Sequence, residues 1–262
     1  MAAYFQDYLL HLADNALILG QRNAQWCGHG PVLEEDLALA NNSLDLIGQA
    51  RLLYQHVATV RKDGKTSEDL LVYFRDVPDF KNYTLLELPH STALAPTASG
   101  DRDYAVTIGR NFLYSALMVL VWNGLKASND AQLAAIAAKS LKEAQYHLRH
   151  AHDWLLRLGD GTDESHAKMQ AAIDHLMPYT QEFWTPSAME TAVAKSGQGV
   201  AVQPLKAEWD ALVDDALAAA TLKRPATGGF VSTGKTGVHS EHLGFVLAEM
   251  QSLARAHPEA VW

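Results

Sequence analysis

The chain has 262 residues, 48% of them hydrophobic and 19% charged, with a formal net charge of -9 and one cysteine. That length supports a sizeable core, and the acidic balance argues against nucleic-acid and anionic-membrane partners. The lone Cys27 excludes an internal disulfide and a Cys-rich zinc site and fits a reducing compartment.

From 5 to 26, apolar residues at 5, 9, 12, 16 and 19 follow the three-four rhythm of a helix. Asp7, His11 and Asp14 interrupt the run, so it does not read as a signal peptide. Cys27, beside Trp26 at its end, reads as a buried or inert thiol. Gly28-His-Gly-Pro31 breaks the helix. A second helix is expected behind Pro31, running to about Arg61, with Glu34, Glu35 and Asp36 placed where carboxylates favour the helix dipole.

Residues 62–100 read as a long connection. Ser67-Glu-Asp opens a short helix leading into 70–74, and Pro78, Pro89, Pro96 and Gly100 break the rest of the segment. A third helix is expected over about 101–127. Its strongest apolar run, 112–122, is too short for a membrane span. A fourth is expected over about 131–158, behind the Asn129-Asp130 link and ending at Gly159-Asp-Gly161. Two hairpins joined by a long crossover predict an all-α, ferritin-like four-helix bundle. Its core covers about 5–158. Additional C-terminal helices are expected at about 164–184, 205–222 and 239–256, all within a single domain over 1–262. The protein is expected to be soluble and cytoplasmic.

Gly229-Phe-Val-Ser-Thr-Gly234-Lys235-Thr236 matches the phosphate-loop spacing formally. No strand pattern precedes it and the chain lacks α/β alternation, so a solvated loop is expected instead.

Ferritin-like di-iron proteins carry a Glu on each of two helices and Glu-x-x-His on each of the other two, a spacing that puts both donors on one helix face. Only Glu87-Leu-Pro-His90 has that spacing here, and Pro89 keeps it out of a helix interior. Other polar residues recur at helical spacing: Asn41, Asp45 and Gln49 on the second helix, and Glu143, His147, His150 and Trp154 on the fourth. The first helix carries Asp14, Asn15 and Gln21, and the third Arg110 and Asn111. Asp14 and Asn111 fit solvent and burial equally. Asp45, among Leu44, Leu46 and Ile47, is expected to be buried, and a buried acid needs a partner. Asp45, Arg110, Glu143 and His147 are therefore expected to form a polar network where a metal pair would otherwise sit. His239-Ser-Glu-His242, with Glu249 beyond it, could ligate zinc or iron but lacks evident further ligands, so a loop-anchoring or interface role is expected.

The chain resembles the C-subunit family of bacterial phenylacetyl-CoA 1,2-epoxidase. The stretches that carry the resemblance include Asp14-Asn-Ala-Leu-Ile-Leu-Gly-Gln-Arg with Gln25-Trp-Cys-Gly-His29, and Leu44-Asp-Leu-Ile-Gly-Gln-Ala-Arg51. Lys142-Glu-Ala-Gln-Tyr-His-Leu-Arg149 and Gly237-Val-His-Ser-Glu-His-Leu-Gly244 join them, with Asp36-Leu-Ala-Leu-Ala-Asn41, Trp154-Leu-Leu-Arg-Leu-Gly-Asp-Gly-Thr162 and Leu247-Ala-Glu-Met-Gln251, so that the likeness spans nearly the whole chain.

The resemblance implies a ferritin-like fold and a hetero-oligomer with a homologous catalytic subunit that holds a di-iron centre, served by a separate reductase. The sister's metal helices look like Asp-Glu-Ala-Gly-His and Lys-Glu-Glu-x-Phe-His. Against them, Leu46 and Gln49 stand in this chain for one Glu/His pair, and Ala144 and His147 for the other. These degenerate positions imply no metal, cofactor or catalytic residue in this chain and a structural role in epoxidising phenylacetyl-CoA. An independent, divergent ferritin-like metal-dependent oxidase and a stand-alone helical binding protein are the rival readings.

Overall fold

The computed structural model describes residues 2–94 and 102–260. Among these the protein is all-α: ten α-helices joined by short 3-10 turns, with no β-strand and one isolated bridge between Thr233 and Val238. The chain divides into two compact units, one formed by Met1–Leu88 with Thr233–Trp262 and the other by Pro89–Ser232.

The first unit is built on α1 (Ala2–Ala24) and α2 (Leu33–Arg61), which pack along their length as a hairpin. The turn between them uses Gly28 at φ 77, and the Gly30 amide donates to the Asp36 carboxylate at 3.1 Å. α2 starts behind Pro31 with three acids in its first turn and ends at Lys62 in the left-handed conformation, as the sequence rhythm predicts. Leu9, Ala13, Ile18, Leu39, Leu53 and Val57 are fully buried and supply much of its core. Short helices α3 (Glu68–Tyr73) and α4 (Thr84–Glu87) follow, and α10 (Glu241–Ala256) returns against α3, α4 and α1. Pro78 and Pro89 interrupt this connection as expected; Pro96, Gly100 and the expected helix start at Asp101 lie outside the described residues.

The second unit is built on α5 (Tyr104–Leu125) and α6 (Ala131–Gly159), the second expected hairpin. Asp103 and Asp130 cap them, accepting from the amides of Ala105 and Leu133 at 2.9 and 2.8 Å. By length and composition α5 could cross a membrane, a longer apolar window than the 112–122 run suggests. Yet 94% of that window is buried within the protein, which makes α5 a core helix. After α6 in the chain come α7 (Asp163–Leu176), α8 (Ala188–Lys195) and α9 (Lys206–Ala219). α7 and α9 pack on both α5 and α6.

The expected helix over 164–184 is α only to Leu176. Pro178 has no amide for an α ladder, and the chain tightens into a 3-10 helix, Met177–Trp184. α8 was not expected, although Ser187 and Glu190 form a capping box at its start, with bonds of 3.2 and 2.7 Å.

Candidate functional site

The positions that stand for metal ligands lie on buried helix faces. On α2, Leu46 and Gln49 are each 3% exposed; on α6, Ala144 is 3% and His147 is 4% exposed. Residues three apart share a face, so each helix presents its pair inward together. Leu46 and Ala144 end in hydrocarbon and have no lone pair to give. The remaining amide and imidazole do not fit a di-iron centre, which needs bridging and terminal carboxylates. Among the described residues no group of three His, Cys, Asp or Glu side chains could hold a metal ion.

Asp45 is half-buried rather than buried, and it belongs to the first unit, whereas Arg110, Glu143 and His147 belong to the second. Arg110 is buried on α5 and donates to the Pro89 carbonyl at 3.0 Å, with the His90 ring at 3.4 Å. Burial, and then the Arg110 charge, lower the pKa of His175. Glu143 is half-buried and pairs with Lys139 at 3.3 Å, one turn back on α6. Trp154 packs edge-on to Tyr104 with centroids 5.4 Å apart. Asn41 is exposed, so the 41, 45, 49 row climbs from solvent to core.

Asp14, left open by the sequence, is fully buried and well satisfied. It accepts from the Tyr54 hydroxyl at 2.5 Å, from both terminal nitrogens of Arg75 and from the Lys81 amide at 2.8 Å. Burial and the neighbouring Asp14 carboxylate push the Tyr54 hydroxyl well above its ordinary pKa. Asn111 is buried too and donates to the Thr107 carbonyl.

His239 and Glu87 form a second buried group. The His239 ring contacts the Glu87 carboxylate through Nδ1 at 2.7 Å and the Phe80 carbonyl through Nε2 at 2.8 Å. Glu87 also accepts from the Asn82 amide group at 2.8 Å and from the Ser240 backbone at 2.6 Å. Both ring nitrogens face acceptors, so His239 has no lone pair for a metal, and the loop-anchoring reading fits. Burial opposes its charge, but the hydrogen bond and charge of Glu87 outweigh this and raise the His239 pKa. His242 is buried beside Phe245. Glu87 closes α4, and His90 follows beyond Pro89 off the helix, contacting Thr107 at 2.7 Å.

The Gly-rich stretch departs from the solvated loop expected. Gly228 to Phe230 are exposed, but Gly234 and Lys235 are buried in a 3-10 turn. The Gly234 amide donates to the Thr84 hydroxyl at 3.2 Å, and Lys235 lies over the Tyr83 ring. The turn docks on the chain just before α4, and no strand feeds it. Cys27, read as buried or inert, is exposed on the turn after α1.

The sequence profile described as phenylacetic acid catabolic protein matches residues 2–262. The chain belongs to the phenylacetic acid catabolic protein family. It is also similar to the C-subunit of 1,2-phenylacetyl-CoA epoxidase from Escherichia coli (strain K12), with 45% identity over 257 residues, covering 97% of this chain and 98% of that relative.

In this phenylacetic acid catabolic protein the two buried polar groups of the first unit escaped the sequence reading. Asp14 and Arg75 are 61 residues apart, and Glu87 and His239 are 152 apart. No local periodicity links such pairs. The one available signal was a carboxylate inside an apolar helical face, which marks a buried acid but does not name its partner.

Proposed function

We propose that this chain is a non-catalytic, structural subunit of an oxygenase complex that epoxidises phenylacetyl-CoA in phenylacetate catabolism. The observation that carries this reading is the buried hydrocarbon of Leu46 and Ala144, each set three residues before a surviving polar side chain on an inward face. Similarity across 97% of the chain to an epoxidase C-subunit supports it. A homologous catalytic subunit holds the di-iron centre and the thioester, and a reductase component supplies electrons. This chain supplies apolar helix surface that holds the sister's metal helices in register, as permanent interfaces do. The complex works in the cytoplasm.

Asp45, Arg110, Glu143 and His147 are structural polar groups under this reading, not ligands. Replacing His147 with Leu tests that part. It should lower unfolding free energy by about 1–3 kcal/mol, since the groups around the imidazole lose a polar contact. Unchanged stability together with unchanged sister binding would refute it.

Co-expression tests the whole. The chain should raise the soluble yield of the sister, and iron in the complex should vanish when the sister's own Glu-x-x-His residues are replaced. Iron that persists in that complex, or a sister that is soluble and fully active alone, would overturn the proposal.

A further inference from the structure

A cavity of about 470 Å³ opens in the first unit, lined from α1, the end of α2, α3 and the segment 75–81. That volume suits a small organic ligand. Leu10 and Leu71, each 3% exposed, give it an apolar lining together with Leu70 and Pro78. Arg61, Lys65 and Lys81 bring three cations to the same space. Among the described residues the side chains of Arg61 and Lys65 make no hydrogen bond or ion pair. Lys81 approaches Asp7 only at 4.0 Å.

The supports of these cations are fixed. The Lys81 amide donates to Asp14 at 2.8 Å, and its carbonyl meets the His11 ring at 2.6 Å. Lys65 sits in a turn held by Asp63, which accepts from the Lys65 and Thr66 amides at 2.9 and 2.8 Å. Asp63 spends its oxygens there and does not line the cavity. A fourth cation on the wall, Arg75, is already engaged: it donates to Asp14, Tyr54 and the carbonyls of Leu71 and Asp79.

Charge narrows the ligand. Asp7 and Asp79 also line the cavity, so three available cations face two carboxylates and one positive charge is left over. The chain as a whole carries -9, so the sign is reversed locally. Concave sites with low-dielectric walls concentrate such a field. A polyphosphate would be repelled by the two acids and would leave the hydrocarbon uncovered. A single carboxylate on an apolar body matches both parts of the lining.

We propose that this cavity binds a small monocarboxylate with an aromatic or aliphatic body. The carboxylate lies among Arg61, Lys65 and Lys81, where the planar guanidinium of Arg61 can offer two parallel bonds. The body covers Leu10 and Leu71. A ligand of about ten heavy atoms held this way binds weakly, with a dissociation constant on the order of millimolar.

Ligand-observed NMR titration of the full chain is the test, with benzoate, hexanoate, benzamide and inorganic phosphate as probes. Benzoate and hexanoate should bind saturably. Neutral benzamide and phosphate should bind at least about tenfold more weakly, since each satisfies only one part of the lining. Arg61→Gln with Lys65→Gln should weaken benzoate about tenfold or more, as loss of charge-assisted bonds does. Both positions are exposed, so helical content by circular dichroism should not change. Asp7→Asn should tighten benzoate severalfold, because it frees Lys81 and removes a repelling charge. Lys142→Gln, an exposed cation of α6 in the second unit, should leave binding as it is. No saturable carboxylate binding up to about ten times the expected constant would overturn the proposal. So would benzamide or phosphate binding as well as benzoate, or binding indifferent to the Arg61 and Lys65 changes.

Discussion

His239 and Glu87 meet side by side with both side chains fully buried, Nδ1 to carboxylate oxygen at 2.7 Å, although 152 residues separate them. The contact ties the start of α10 to the end of α4, so the C-terminal segment of the first unit is held by a charge pair as well as by apolar packing. His239→Ala should cost about 3 kcal/mol, because it leaves the Glu87 carboxylate buried without its cation. Chemical denaturation of the two proteins measures this.

The same pair predicts a pH dependence. The folded pKa of His239 is raised above its ordinary 6.5, as burial is outweighed by Glu87. The folded state therefore holds the proton more tightly than the unfolded chain does. That stabilisation is complete below about pH 6.5 and is lost as pH rises through the raised folded value. The melting-temperature difference between wild type and His239→Gln should be largest in mild acid and shrink toward alkaline pH. A gap that widens with rising pH would show that the histidine is buried neutral.

Asp14 should be the most sensitive acid of the first unit. It satisfies a hydroxyl, a guanidinium and a backbone amide at once. Asp14→Asn keeps the shape but removes the charge that neutralises Arg75, and should destabilise by about 3 kcal/mol. Tyr54→Phe removes one bond and should cost about 1–2 kcal/mol. Urea unfolding monitored by tryptophan fluorescence ranks the two, and equal costs would mean that Arg75 is not neutralised by Asp14.

Gly234 is pressed against backbone. A Cβ there would lie 2.6 Å from the Asn82 carbonyl oxygen and 2.8 Å from the Thr84 amide nitrogen. Gly234→Ala should therefore lift the turn off α4 and lower stability by about 1–3 kcal/mol, as overpacking does. Because Lys235 is buried over Tyr83, added ATP with magnesium should leave the melting temperature of the wild type unchanged. A nucleotide-dependent rise would revive the phosphate-loop reading.

Much of this architecture was legible because helical information is local. The rhythm at 5, 9, 12, 16 and 19 sits within α1, the acids behind Pro31 open α2, and Asp130 caps α6. The break at Pro178 was overlooked because apolar residues continue past it in the same rhythm. The hydrocarbon side chains at Leu46 and Ala144 are a fact of sequence, and the structure adds that both are buried. Asp45 defeated the reading because apolar neighbours on a helix do not share its face: Leu44 and Ile47 are exposed. The satisfied acids Asp14 and Glu87 depend on chain segments that meet only after folding.

The central claim concerns donor atoms. The most direct measurement is the iron content of this chain purified alone after expression in iron-replete medium, by elemental analysis against protein concentration. The account predicts far less than one iron per chain, with no di-iron absorption or spin-coupled signal. A stoichiometric iron pair in the isolated chain would contradict it.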